Sequence, residues 1–168
     1  MKDVEWRLIA ELVKNSRRSD RELAKAIGVS LATVTRMRKR LETEGYIQEY
    51  TMIPDFSKLG YQIMVLTIAK ARTTLSLEKQ EKAKKLLLAA PQVLFVASAE
   101  GMSGNGIMLS LHKNFSDYRN FMRSLQISTG GFMEKVDTML VSLDKAAVVK
   151  SLSITNIIAE EIEQRSKR

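Results

Sequence analysis

Thr33, Arg36, Lys39 and Arg40 crowd hydroxyl and cationic groups into one short stretch of the chain. The chemistry open to such a set is recognition of a polyanion. Thr33, Arg36 and Arg40 fall at i, i+3 and i+7, which is one stripe along a helix. A guanidinium offers two parallel donors, and the major-groove edge of guanine offers two acceptors at the matching separation. Ser30 and Thr33 stand where that helix would begin, a position whose free amides favour a phosphate. Arg17 and Arg18, in the loop ahead, suit backbone phosphates, and Thr35 completes the candidate DNA-contacting set. Arg38 lies off the stripe and has two readings, a phosphate contact or an ion pair with Glu42 at i+4. Residues 14–40 hold nine Lys/Arg against Asp20 and Glu22, a net of +7 within a chain of net +8. Each phosphate such a patch neutralises releases condensed counterions. A solvated basic face would account for the charge equally well, so charge alone does not decide.

Three helices must position these groups. Trp6, Ile9, Leu12 and Val13 recur at helical spacing and predict a helix over 3–14. Ser19 and Glu22 form a capping box for a second helix that runs to about Ile27. Gly28 supplies a tight turn with positive φ. Ser30 caps a third helix that buries Val34, Met37 and Leu41 and stops at Gly45. Ala24 is small where two helices would cross, and Val29 and Val34 plug their joint. This is a helix-turn-helix. Residues 46–52 are β-prone and predict a strand or wing; Pro54, Asp55 and Gly60 mark a linker.

Behind the linker the period changes. Strands are predicted at 61–71, 93–99, 107–113 and 133–143, with helices at 77–90 and from a Ser116 cap to about Gln126. Residues 101–106 read as a turn, and Gly130 and Gly131 break the second helix. The order is the βαββαβ of a ferredoxin-like sandwich, so the fold class is α+β. The expected domains are 1–54, a winged helix-turn-helix; 55–144, a ferredoxin-like sensing and oligomerisation domain; and 145–168, an extension with a strand and a helix near 156–165.

Composition sets bounds. The chain has 168 residues, 45% of them hydrophobic, and no cysteine. Disulfides and thiolate chemistry are excluded. No apolar run is long enough for a bilayer span, and the N-terminus has no apolar leader, so a soluble cytoplasmic protein is expected. No cofactor or metal is expected. His112 is the single histidine and reads as a surface or edge residue without an orienting partner. Gly101, Gly104 and Gly106 join two strands, whereas a dinucleotide fingerprint opens a helix. Glu160, Glu161 and Glu163 read as a solvated helix face. An enzyme built on the sandwich needs a nucleophile–base pair or a metal set, and neither is evident.

With these residues in place, the stretch NSRRSDRELAKAIGVSLATVTRMRKRLETEGYIQEYTMIPDFSKLGY resembles the leucine-responsive regulatory protein/asparagine regulator (Lrp/AsnC) family. The resemblance is specific over 3–61 and topological over 62–143. It implies a winged helix-turn-helix that binds operator DNA, a C-terminal domain that dimerises and assembles further into tetramers or octamers, and an amino-acid effector. The effector would sit around the turn Gly101, Met102, Ser103, Gly104 and Asn105. There the family has an aspartate and this chain, in register, has Gly106. Three readings stay open: Asn105 substitutes, the ligand is not an ordinary amino acid, or there is none. The competing function is a metabolite-binding or assembly module without specific DNA binding. Such a module gives no reason for Arg36 and Arg40 to share a face beside a capped helix start.

Overall fold

The computed structural model describes residues 1–72, 76–145, 147–150, 152, 153, 158, 160, 161, 164 and 165. It divides into two compact units, Met1–Ile53 together with the described residues of Ser151–Arg168, and Pro54–Lys150.

In the first unit, α1 spans Asp3–Lys14, α2 Asp20–Ile27 and α3 Leu31–Thr43. Local chemistry fixes the boundaries of α2 and α3. The Ser19 hydroxyl accepts from the Glu22 amide at 3.3 Å, and the Glu22 carboxylate accepts from the Ser19 amide at 2.7 Å. Gly28, at φ 75°, ends α2 in the left-handed region, where a Cβ would be penalised. Ser30 accepts from the Thr33 amide and starts α3. The three helices close over Leu8, Leu12, Leu23, Ala24, Ile27, Val34, Met37 and Leu41. Each large member stabilises the unit by about 1.5–3 kcal/mol on burial.

The strand expected at 46–52 is a correction. Residues 47–55 form no strand. A strand needs a laddered partner, and among the described residues of this unit no other segment is extended alongside. The segment is held by side chains instead. The Tyr50 hydroxyl donates to Glu42 at 2.6 Å, and its ring lies 5.5 Å from the Arg38 guanidinium carbon. Burial and the Glu42 bond push the Tyr50 phenol up to about 12. In the C-terminal stretch, 158, 160, 161, 164 and 165 are helical, and Arg165 lies 4.3 Å from the Trp6 ring centroid. The strand expected before that helix is absent from 145, 147–150, 152 and 153; the rest of the expectation lies outside the described residues.

The second unit contains β1 (Ile63–Ala71), α4 (Leu77–Ala89), β2 (Val93–Gly101), β3 (Gly104–His112), α5 (Phe115–Ser128) and β4 (Met133–Ser142). The sheet order is β2-β3-β1-β4, every pair antiparallel, which is the split βαβ arrangement expected from the alternating periods. Asn114, not Ser116, caps α5; its side chain accepts from the Asp117 amide at 2.9 Å. Strand parity separates two faces. Val65, Thr67, Met108, Ser110 and His112 turn toward the helices and are buried. Met64, Leu66, Ile68, Ile107 and Leu109 turn the other way, with Phe95, Met139 and Val141 beside them at 56%, 63% and 39% exposure. No helix among the described residues is long and apolar enough to cross a membrane.

Candidate nucleic-acid interface

The buried stripe of α3 is Val34, Met37 and Leu41. At 3.6 residues per turn the positions opposite it are Ala32, Arg36, Lys39 and Thr43, and all four are exposed. The side chains of Arg36 and Lys39 make no hydrogen bond or ion pair with any described residue. They are the free cations of the helix. Ala32 brings only a methyl group to the same surface, so the backbone there is open to close approach. Ala32 was absent from the sequence-derived set, although the helical period alone places it beside Arg36.

Arg40 departs from that set's geometry. Its guanidinium bonds the Glu5 carboxylate of α1 and lies 3.6 Å from Glu44. Glu5 is 2% exposed, and its other oxygen accepts from the Lys2 amide at 2.7 Å. Arg40 therefore ties α3 to α1 at the flank of the stripe. The physical reason is the cost of a buried carboxylate, which needs a cation within reach. Nothing in the spacing around Arg40 reveals a partner 35 residues away.

Two more candidates are engaged. The Thr35 hydroxyl donates to Asp20 at 2.7 Å, and Arg38 Nε lies 3.2 Å from the same carboxylate. Arg38 pairs with Asp20 and not with Glu42. Arg18 bonds Glu11, which also accepts from Lys14 at 2.7 Å. The Lys14 hydrogen bond, with the charges of Lys14 and Arg18, holds the Glu11 carboxyl below its ordinary value. Arg17 is exposed and its side chain makes no bond among the described residues. Arg21 and Lys25 on α2 are likewise exposed and make no ion pair there; both belong to the basic window. At the start of α3, Ser30 Oγ and Thr33 Oγ1 lie 2.8 Å apart, and the first turn holds no acidic residue. A phosphate there meets hydroxyls and free amides with no charge opposing it.

The turn proposed for an effector is a two-residue hairpin. Met102 and Ser103, at φ 50° and 60°, connect Gly101 and Gly104, which pair across it. Strand β3 thus begins at Gly104, earlier than expected. Asn105 is not free to replace a carboxylate. Its Oδ1 accepts from the Ala71 amide at 2.7 Å and its Nδ2 donates to the Ala71 carbonyl at 3.2 Å, so the side chain acts as one more rung of the ladder.

His112 is also a correction. It is 0% exposed, with Nε2 3.0 Å from Ser110 Oγ and Nδ1 3.6 Å from Asp117, and its ring packs at 5.3 Å against both Tyr118 and Phe121. Burial pulls its pKa below the ordinary value, against the Asp117 charge. The Ser–His–Asp order resembles a catalytic relay, but Ser110 and His112 lie wholly inside, where the hydroxyl meets no external carbonyl. The partners escaped notice because one is two residues away on the same strand face and the other is on the following helix.

Comparison with known proteins agrees with this geometry. A family model described as winged helix-turn-helix DNA-binding matches residues 1–48. An uncharacterised HTH-type transcriptional regulator of Pyrococcus abyssi is 27% identical over 139 residues, covering 83% of this chain and 90% of that protein. The HTH-type transcriptional regulator LrpC of Bacillus subtilis is 32% identical over 92 residues, 55% of this chain and 61% of LrpC. Among solved structures, an AsnC family transcriptional regulator from Agrobacterium tumefaciens superposes with a TM-score of 0.76 at 15% identity, over 94% of this chain and 99% of that one. A Neisseria meningitidis transcriptional regulator solved as an L-Met complex gives 0.75 at 15% identity, over 94% and 99%. The helix-turn-helix and the comparisons together support a DNA-binding transcription regulator. Within that class its relatives and structural neighbours include Lrp and AsnC proteins, which the chain resembles in sequence over about half its length and in fold over most of it.

Proposed function

We propose that the protein acts in the cytoplasm as a dimer on an operator of two related half-sites, and that Arg36 is the principal reader of base identity. The observation that carries this reading is the position of Arg36: outward on α3, opposite the buried stripe, and claimed by no carboxylate. Lys39 is one turn away on the same surface. Ala32 suits contact with a thymine methyl, and Ser30 and Thr33 suit a phosphate at the helix start. Arg17 contacts the backbone. Arg18, Thr35 and Arg40 act chiefly by holding the helices, since Glu11, Asp20 and Glu5 occupy them.

The dimer forms through the apolar sheet face that carries Leu66, Leu109, Phe95 and Met139. Such a face exposed to water marks an interaction site, and a second copy presents the matching surface by two-fold symmetry. Assembly into tetramers or octamers follows from contacts elsewhere. An amino-acid-like effector at 101–105 would rely on the hairpin backbone and Ser103, because Asn105 is committed to Ala71.

Selection of bound sequences from random duplex DNA tests the reading. The expected product is an imperfect palindrome whose half-sites lie about one helical turn, or a multiple, apart. With ~4–8 phosphates neutralised, log K should fall against log[salt] with a slope of about −4 to −7. A single asymmetric site overturns the dimeric reading, and binding indifferent to salt overturns the basic interface.

A further inference from the structure

Between the helix-facing side of the sheet and α4 and α5 lies a cavity of about 470 Å³. Cavities that hold small-molecule ligands run from about 300 to 1,000 Å³ and are walled by apolar groups with a few polar ones. A cavity of about 150 Å³ already accepts benzene. The space here exists because small residues stand where large ones would fill it: Ala69 and Gly106 on the strands and Ala83 on α4. Gly106 has no backbone reason to be glycine. A Cβ built on it comes no nearer than 3.8 Å to any neighbour, and its φ is not positive. Met108, Leu125 and Met133 form much of the apolar wall.

One polar group on the floor is incomplete. Thr67 lines the cavity and is 1% exposed, and its Oγ1 has no hydrogen-bond partner among the described residues. Buried hydroxyls are normally satisfied, and one left without a partner is costly. The charged side chains that line the cavity, Glu81 and Lys84, are both exposed on α4 and offer nothing to a charge on the floor.

We propose that this cavity binds a small, uncharged, mainly apolar molecule carrying one hydroxyl or carbonyl, with that group turned toward Thr67. A zwitterion does not suit it, because either charge would be desolvated against a neutral hydroxyl and a wall of methionine and leucine. The site adjoins the hairpin considered above for an amino acid, sharing Asn105 at its edge, but its floor is Thr67 and the strand interior. The inference does not rest on DNA binding.

The test uses the full-length protein with its methionine methyl groups labelled with carbon-13. Three probes are titrated: 2-phenylethanol, its hydrocarbon counterpart propylbenzene, and zwitterionic L-phenylalanine. The expected result is saturable shifts of the Met108 and Met133 methyls with the first two, with Met52 and Met139 unmoved. L-phenylalanine should move neither pair. Thr67→Val keeps the shape and removes the hydroxyl. It should weaken 2-phenylethanol by about three- to tenfold, the worth of one hydrogen bond, and leave propylbenzene unchanged. Gly106→Leu should abolish binding of both by filling the space. The proposal is overturned if Met108 and Met133 stay unmoved in the wild-type protein, if L-phenylalanine binds there as well as the alcohol, or if Thr67→Val weakens the two neutral probes equally. The wild-type titration stands whether or not the leucine variant folds.

Discussion

In the unit of α1–α3, the outer face of α3 is largely polar and charged, and the buried carboxylates are matched by cations. Eight apolar side chains close over one another, and the carboxylates of Glu5, Glu11 and Asp20 each hold a cation. In the sheet unit, one face is covered by α4 and α5 while the other presents Phe95, Met139 and Val141 to solvent. The difference teaches which parts are finished within one chain. The helical unit closes its core within one chain, and its unspent groups among the described residues include the cations Arg17, Arg21, Lys25, Arg36 and Lys39. The sheet unit's unspent group is an apolar surface. One region is made to meet a polyanion, and the other to meet something as apolar as itself.

The sharpest way to break the comparison is at the sheet. Leu66→Lys places an ammonium in the middle of the apolar face. We expect self-association to weaken by at least about a hundredfold, since an unpaired buried charge costs about 3–5 kcal/mol, while the helical unit stays folded. Sedimentation together with circular dichroism measures both. An unchanged assembly would show that the copies meet elsewhere.

Next in size is Arg36→Ala. Specific affinity should fall about tenfold to a hundredfold, with random-sequence affinity and stability nearly unchanged, because the lost contact is to a base edge and an exposed helical Arg→Ala change is close to neutral. Binding to operator and random duplexes is compared side by side. Equal losses on both would make Arg36 a backbone clamp.

Arg40→Ala should show the opposite pattern. It strands the buried Glu5 carboxylate, so the helical unit should lose about 1–3 kcal/mol. The cost stays below that of a fully enclosed pair, because the guanidinium is itself 43% exposed. Urea unfolding reads this directly. Unaltered stability with reduced specificity would return Arg40 to the reading surface.

How far these distinctions were legible in the sequence depends on their range along the chain. Ser19 with Glu22, Gly28, and the periods of α1–α3 are local, and the helices appear where those residues put them. The sandwich order follows from alternating periods, because two interleaved βαβ units leave few alternatives. Contacts at long separation were hidden. The Arg40–Glu5 bond joins residues 35 apart, so Arg40 looked as free as Arg36. The β propensity of 46–52 was real, but a strand also requires a partner that propensity does not supply. Met102 and Ser103 were unreadable as a tight hairpin turn because neither is the glycine or asparagine that a positive φ favours.

The smallest expected effect concerns His112. Its folded pKa lies below the ordinary 6.5. Between those two values the unfolded chain binds a proton that the folded chain refuses, so stability is full above about 6.5 and falls as pH drops through the window. Unfolding free energies across that range should slope downward toward acid in the wild type and less so in His112→Gln. Equal slopes would assign the effect to other groups.

The Asn105 rung has a consequence for chemical ageing. Asparagine followed by glycine is the pair most open to deamidation, in which the next backbone nitrogen attacks the side-chain carbonyl carbon. Here that next residue is Gly106, lying extended in β3, and the Asn105 amide is clamped to both polar groups of Ala71. The ring that the reaction must close is out of reach while the hairpin holds. Deamidation at this position therefore acts as a clock that runs only when the end of the sheet opens. Once the reaction has occurred, the carboxylate it leaves no longer donates to the Ala71 carbonyl, and the opening that allowed it becomes easier to repeat.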